Sequence, residues 1–279
     1  MKKLLLIPAL LLTMFYAQAQ EKINCCSPSA TEEYALNALN KNFVMQHDDP
    51  LPFTYHSIKG KDISYPTADG KAAHAFEIKA DKQTPYYLFV IHEWYGLNDY
   101  IKQEAENLAN ELGMNVIALD LYDNKVAANR DDAAKYMQTV TTDRAMDIIH
   151  GAYKYVGGNA KVFTVGWCFG GGWSLQTAIE GGNQVKGCVM YYGQPEKDVE
   201  RLKKIRCDII GFFGNQDHFP SPEMVDQFLQ TATKANVKIY VNRYEANHGF
   251  ANPSNPSFNK EAKEDAHKKM IAFIRERMK

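Results

Sequence analysis

The stretch that decides the fold is residues 162–178, which read VFTVGWCFGGGWSLQTA. A run of β-branched and aromatic residues ends at Cys168, with Gly166 and Gly170 on either side of it. This composition predicts a buried strand, a tight turn and then a helix. The turn has two interpretations. Cys168 is either a small hydrophobic core residue or a nucleophile whose side chain the turn exposes at the end of the strand.

Strand-like and helix-like segments alternate along the rest of the chain. The patterns predict strands at 61–65, 73–79, 86–92, 115–120, 161–166, 186–192, 208–214 and 237–244. They predict helices at 27–48, 99–112, 131–156, 170–181, 196–204, 222–235 and 257–277. From residue 86 onward, this order predicts an α/β fold with a mostly parallel sheet and helices on both faces. The two earlier strands could supply an antiparallel edge.

Four polar or nucleophilic residues follow predicted strands, where sheets of this kind bind their ligands. They are Glu93, Cys168, Asp217 and His248. Each is unremarkable alone, but their order is informative. A nucleophile in G-x-Nuc-x-G, an acid after a later strand and a final histidine are the order of the α/β-hydrolase fold. In that arrangement Asp217 orients His248, and His248 moves protons for Cys168.

Five motifs resemble the dienelactone hydrolase family, whose members have a cysteine nucleophile on an α/β-hydrolase fold. They are IHEWYGLN (91–98), GWCFGGGWS (166–174), YYG (191–193), GNQDHFP (214–220) and HGFAN (248–252). The resemblance covers roughly residues 85–275. It implies that Cys168 is the nucleophile, His248 the base and Asp217 the residue that orients it. It also implies that Glu93 contacts the resting cysteine.

The resemblance further implies an oxyanion hole made by the backbone N–H groups of Trp94 and Phe169. It weakens where the namesake enzyme binds its substrate's carboxylate, because a serine and an arginine of that site are replaced here by Gly249 and Asn252. A second family arginine falls near Lys125, and the next arginine is Arg130. We therefore expect Lys125, Arg130 and Asn252 to contact substrate, and neutral esters to be processed at least as well as acidic lactones.

The N-terminus has the pattern of a signal peptide. Two lysines precede an apolar stretch over 4–17, which is too short for a membrane anchor, and Ala17-Gln18-Ala19 forms a cleavage site. The sequence predicts a signal peptide at 1–19, a helical or irregular extension at 20–55 and the hydrolase domain at 56–279. The protein is then exported, either periplasmic or secreted by a bacterium.

Composition narrows the classes of partner. The net charge of −1 predicts binding to neither nucleic acid nor a membrane surface. No spacing typical of a metal or cofactor site occurs, so we expect neither. Of five cysteines, Cys25 and Cys26 are adjacent, where a mutual bridge would be strained, and Cys188 and Cys207 lie in apolar runs.

The leading hypothesis is a hydrolase of small carboxylic esters or lactones that forms a thioester on Cys168. A non-catalytic small-molecule binding protein with the same pocket is the alternative. A thiol redox protein is disfavoured because no C-x-x-C motif occurs.

Overall fold

An eight-stranded sheet forms the centre of the structure, a computed structural model that describes residues 29–279. Its strands are β1 (Lys61–Pro66), β2 (Ala72–Ile78), β3 (Tyr86–Ile91), β4 (Asn115–Asp120), β5 (Lys161–Trp167), β6 (Val185–Tyr191), β7 (Ile209–Gly214) and β8 (Ile239–Tyr244). They lie in the order β1-β2-β4-β3-β5-β6-β7-β8. The strands from β3 onward pair in parallel, whereas β1 and β2 pair antiparallel at one edge, which confirms the predicted sheet.

Helices cover the sheet and connect its strands. They are α1 (Glu32–Asn37), α2 (Lys41–Met45), α3 (Asp99–Leu112), α4 (Arg130–Thr139), α5 (Thr142–Val156), α6 (Phe169–Glu180), α7 (Val199–Leu202), α8 (Pro222–Ala235) and α9 (Lys260–Arg277). Strands β4 and β7 are buried at every residue, as expected where helices cover both faces of a parallel sheet. This is the α/β-hydrolase fold predicted from the sequence.

Two segments that were predicted to be single helices each form two helices. The segment 131–156 forms two helices because Thr141 has an extended backbone, and its side chain accepts a hydrogen bond from the Arg144 N–H, which starts α5. The described part of the segment 27–48, residues 29–48, is likewise divided, since the Asn40 side chain accepts from the N–H groups of Asn42 and Phe43 and starts α2. The predicted helix at 196–204 spans only Val199–Leu202.

Residues 29–55, here called the N-terminal segment, pack against the sheet domain close to α4. The Thr31 hydroxyl lies 2.7 Å from that of Thr142, and Arg130 at the start of α4 forms an ion pair with Asp48 at 3.0 Å. Phe43 of this segment is buried among aromatic side chains of the domain. The segment therefore reaches the carboxyl ends of the strands.

The predicted signal peptide at 1–19, Cys25 and Cys26 lie outside the described residues. Within residues 29–279, none of the helices combines the length and the apolar character needed to cross a bilayer.

Candidate active site

Cys168 occupies a strained turn between β5 and α6. Its backbone has φ 54° and ψ −120°, a conformation that residues other than glycine rarely adopt. The flanking glycines permit the turn, because a Cβ atom on Gly166 would lie 2.0 Å from the carbonyl oxygen of Gly170. The Cys168 N–H donates to the carbonyl of Tyr191, at the end of the neighbouring strand β6 (3.0 Å). The turn thus fixes the thiol at the carboxyl edge of the sheet.

His248 and Asp217 meet in the loops that follow β8 and β7. The Nδ1 atom of His248 lies 2.8 Å from a carboxylate oxygen of Asp217, and both side chains are buried. Burial opposes a charge on the imidazole, but the Asp217 carboxylate, together with the negative charge that Cys168 carries as a thiolate, outweighs it. The pKa of His248 consequently lies well above its ordinary value. The pair is suited to accept and hold a proton.

The other nitrogen of His248 is directed to the neighbourhood of Cys168. Its Nε2 atom is buried and has no hydrogen-bond partner within residues 29–279. Nitrogen atoms of His248 and His47 and the sulfur of Cys168 all lie within 4.8 Å of one another. The structure therefore brings together Cys168, His248 and Asp217, whose positions in the sequence are far apart.

Glu93 follows β3 and lines the same cavity as Cys168 and His248. Its carboxylate accepts hydrogen bonds from the Tyr192 hydroxyl (3.3 Å) and the Asn252 amide (2.6 Å), and none joins it to Cys168 in the described part of the chain. Burial raises the pKa of Glu93 to about 7, against the opposing effects of His248, Tyr192 and Asn252. The carboxylate is thus a neighbour of the cysteine rather than its direct partner.

Trp94 and Phe169 are the residues whose backbone N–H groups we expect to form an oxyanion hole. Trp94 follows β3, and Phe169 is the first residue of α6, immediately after Cys168. Neither N–H has a hydrogen-bond acceptor among the described residues.

Of the three residues expected to contact substrate, the structure brings one to the cavity. Asn252 lines it beside Glu93. Lys125 instead places its ammonium group 5.6 Å from the ring centre of Tyr136. Arg130 does not line the cavity, and it forms ion pairs with Asp48 (3.0 Å), which does, and with Asp49 (3.6 Å), so its charge is neutralised. The structure thus places no charge from Lys125 or Arg130 against the nucleophile.

A sequence profile describing the dienelactone hydrolase family matches residues 72–278. The chain belongs to the dienelactone hydrolase family. A curated relative, the "Putative carboxymethylenebutenolidase" of Saccharolobus solfataricus, is 29% identical over 260 residues, which cover 77% of this chain and 98% of the relative. The carboxymethylenebutenolidase of Pseudomonas putida is 26% identical over 228 residues, covering 76% of this chain and 94% of that enzyme.

Solved structures show the same fold. A dienelactone hydrolase-like promiscuous phosphotriesterase from metagenomic libraries superposes with a TM-score of 0.68 at 20% identity, covering 78% of this chain and 99% of that one. As a member of this family, the protein has the α/β-hydrolase fold and is a hydrolase.

His47 is a site residue that the sequence did not reveal. It precedes the part of this dienelactone hydrolase family member that the family profile matches, yet its Nε2 atom lies 3.3 Å from the Cys168 sulfur. Its Nδ1 atom is 2.9 Å from the carbonyl of Phe43, and its ring stacks on Trp94. Burial lowers the pKa of His47 to about 3, so the ring is neutral. No motif in HDDP (47–50) signals this contact.

The cavity at Cys168 is small and adjoins a larger groove. Its volume of about 20 Å³ has room for about one water molecule. Glu93, Tyr95 and Asn252 also line the groove, which has a volume of about 130 Å³ and extends to Trp167 and Lys263. The cavity beside Cys168 and the groove therefore share part of their lining.

Proposed function

We propose that this protein hydrolyses small carboxylic esters or lactones through a thioester on Cys168, with His248 and Asp217 completing a catalytic triad. One observation carries the proposal. The imidazole of His248 is anchored to Asp217 through Nδ1, while its buried, unpartnered Nε2 lies beside a cysteine in a strained turn. This is the arrangement of base, orienting acid and nucleophile that acyl transfer requires.

The reaction has two halves. Cys168 gives its proton to His248 Nε2, and the sulfur attacks the carbonyl carbon while the N–H groups of Trp94 and Phe169 stabilise the oxyanion. The carbon–oxygen bond to the leaving group breaks, and His248 returns the proton to that oxygen. In the second half His248 takes a proton from water, which attacks the thioester. The acid leaves, and the thiol of Cys168 is restored.

We propose that the resting nucleophile is a thiol. The Nδ1 atom of His47 faces a carbonyl oxygen, which can only accept, so Nδ1 carries the hydrogen and Nε2 presents a lone pair to the sulfur. An S–H group satisfies that lone pair, whereas a thiolate would repel it. The carboxylate of Glu93 in the same cavity also disfavours the thiolate. Rotation of the sulfur toward His248 on substrate binding then produces the reactive form.

The substrate is proposed to be neutral at the end that enters the cavity beside Cys168. Arg130 is neutralised by two aspartates, and Lys125 lies against an aromatic ring outside the cavity, so neither supplies a partner for a substrate carboxylate. The names of the curated relatives support a lactone or ester as the reacting group. Export remains a prediction that rests on residues 1–19.

Single substitutions test the proposal. Cys168→Ala and His248→Ala should each abolish hydrolysis of p-nitrophenyl acetate, since members of such a unit act together. Cys188→Ala and Cys207→Ala are matched controls that should retain turnover. Burial raises the pKa of Cys188 to about 11, and it raises that of Cys207 as well, so both thiols are inert.

The binding-protein alternative has a different outcome. A purified protein that binds esters in the cavity but turns none over, with identical behaviour in the Cys168→Ala variant, would replace the hydrolase proposal.

A further inference from the structure

Three side chains at the site, those of His47, Cys168 and His248, could together bind a metal ion. The donor atoms of His47, Cys168 and His248 lie within 4.8 Å of one another, and each side chain is more than nine-tenths buried. The separation of 3.3 Å between His47 Nε2 and Cys168 Sγ is within about 0.3 Å of the sulfur–nitrogen separation on one tetrahedral zinc ion, which we calculate as roughly 3.6 Å from typical bond lengths. The remaining pairs need to approach by at most about 1.5 Å.

Both imidazoles are oriented as metal-binding histidines are. Metal-bound histidine almost always donates its other ring N–H to a carboxylate or a carbonyl. His248 has Asp217 on Nδ1 at 2.8 Å, and His47 has the Phe43 carbonyl on Nδ1 at 2.9 Å. Each ring therefore directs Nε2 toward the sulfur, and that of His248 has no other partner among the described residues. The nitrogen that accepts a proton in the proposed reaction is thus also free to coordinate a metal.

We propose that His47, Cys168 and His248 bind a thiophilic divalent cation, Zn²⁺ foremost, and that the bound cation switches the hydrolase off. A thiolate with two imidazoles suits Zn²⁺ and not Mg²⁺ or Ca²⁺, which require oxygen ligands. Binding forms one metal–sulfur and two metal–nitrogen bonds and releases to solvent the thiol proton and any proton on His248 Nε2, with no change of oxidation state. All three ligands line the cavity at Cys168, where the ion would lie.

Inhibition follows from the choice of ligands. The metal would occupy the sulfur lone pair that attacks substrate and the nitrogen that moves protons. Only this consequence rests on the proposed function, since the metal site itself needs no catalysis. Because His47 precedes the residues 72–278 that the family profile matches, the third ligand belongs to the N-terminal segment and not to the family domain.

Cobalt spectroscopy tests the site without reference to activity. Reduced protein, freed of metal by chelator and then freed of chelator, is titrated with Co²⁺. We expect saturation at one equivalent, with the near-ultraviolet thiolate-to-cobalt band and the strong visible bands of four-coordinate cobalt. Zn²⁺ should displace the cobalt and remove both features.

Variants assign the ligands. Cys168→Ser should lose the thiolate band, and His47→Ala should weaken Zn²⁺ binding at least about 100-fold, measured against a chromogenic chelator. Asp217→Asn keeps all three ligands and should weaken Zn²⁺ binding about 10- to 100-fold. This second variant leaves the N-terminal segment unchanged, so it tests the site even if His47→Ala disturbs that segment. His150→Ala, an exposed histidine on α5 paired with Glu180, is the matched control and should bind as the parent does.

Cobalt binding without a thiolate band, or unchanged Zn²⁺ affinity in both His47→Ala and Asp217→Asn, would overturn the metal proposal. Hydrolysis that Zn²⁺ leaves unaffected would overturn the inhibitory role. A protein that binds the metal but never hydrolyses esters would contradict the proposed function instead, so the two failures are distinguishable.

Discussion

The substitution Gly170→Ala tests whether the turn at Cys168 is built for catalysis. A Cβ atom at this position would lie 2.2 Å from the carbonyl oxygen of Ile91 and 2.5 Å from that of His92. Both are backbone atoms at the end of β3, so no side chain can move aside. The start of α6 must shift by about 1.2 Å for the shorter contact to reach 3.4 Å.

That shift has two measurable consequences. Misplacing a catalytic group by about 1 Å can lower the rate about 100-fold, so kcat for p-nitrophenyl acetate should fall by about that factor. The crowding should also lower the free energy of unfolding by about 1–3 kcal/mol, measured by urea denaturation. KM should change less than kcat, because the groove that adjoins the cavity is lined by other elements.

Gly158→Ala is the matched control. Gly158 lies in the loop between α5 and β5, and nothing is found within 4 Å of a Cβ atom placed there. This variant should keep its kcat and gain up to about 1 kcal/mol of stability through the unfolded state. If Gly170→Ala matched Gly158→Ala in both kcat and stability, the reasoning about the turn would be refuted.

Three further predictions concern charge. Asp217→Asn should lower kcat by about 10³- to 10⁴-fold by favouring the wrong tautomer of His248, measured at several pH values, and a loss under tenfold would contradict the orienting role. Glu93 has a pKa of about 7 when folded and 4.5 ordinarily, so between these values the folded state binds more protons than the unfolded one. The free energy of unfolding should therefore fall by about 3 kcal/mol as pH rises through this window. Urea denaturation of Glu93→Gln over the same pH range should show no such fall. If the free energies of the two proteins changed with pH in parallel, the assignment to Glu93 would be contradicted. Neutral aryl esters should have a kcat/KM at least equal to that of carboxylate-bearing lactones, and a clear preference for the acidic lactones would show that a cation faces the cavity.

The sheet and three members of the site were predictable from sequence for one physical reason. Apolar runs of strand length alternate with helices, and parallel strands bring their carboxyl ends to a common edge. Cys168, Asp217 and His248 each follow such a run, so their approach to one another needs no knowledge of side-chain packing.

His47 could not be predicted in this way. It lies 121 positions before Cys168, and it reaches the sulfur because Phe43 packs against Trp94 and Phe219. Those contacts depend on three-dimensional packing that leaves no periodic trace in the sequence. The ion pairs of Arg130 with two aspartates of the same N-terminal segment could not be predicted from the sequence for the same reason.

The central claim is that Cys168 carries the acyl group during turnover. Metal-free protein mixed with p-nitrophenyl acetate and quenched in acid within the first turnover should gain one acetyl group by intact-mass spectrometry. The modification should map to the peptide containing Cys168, be removed by hydroxylamine and be absent from Cys168→Ala. Steady hydrolysis with no adduct on Cys168, or with an adduct on another residue, would contradict the account.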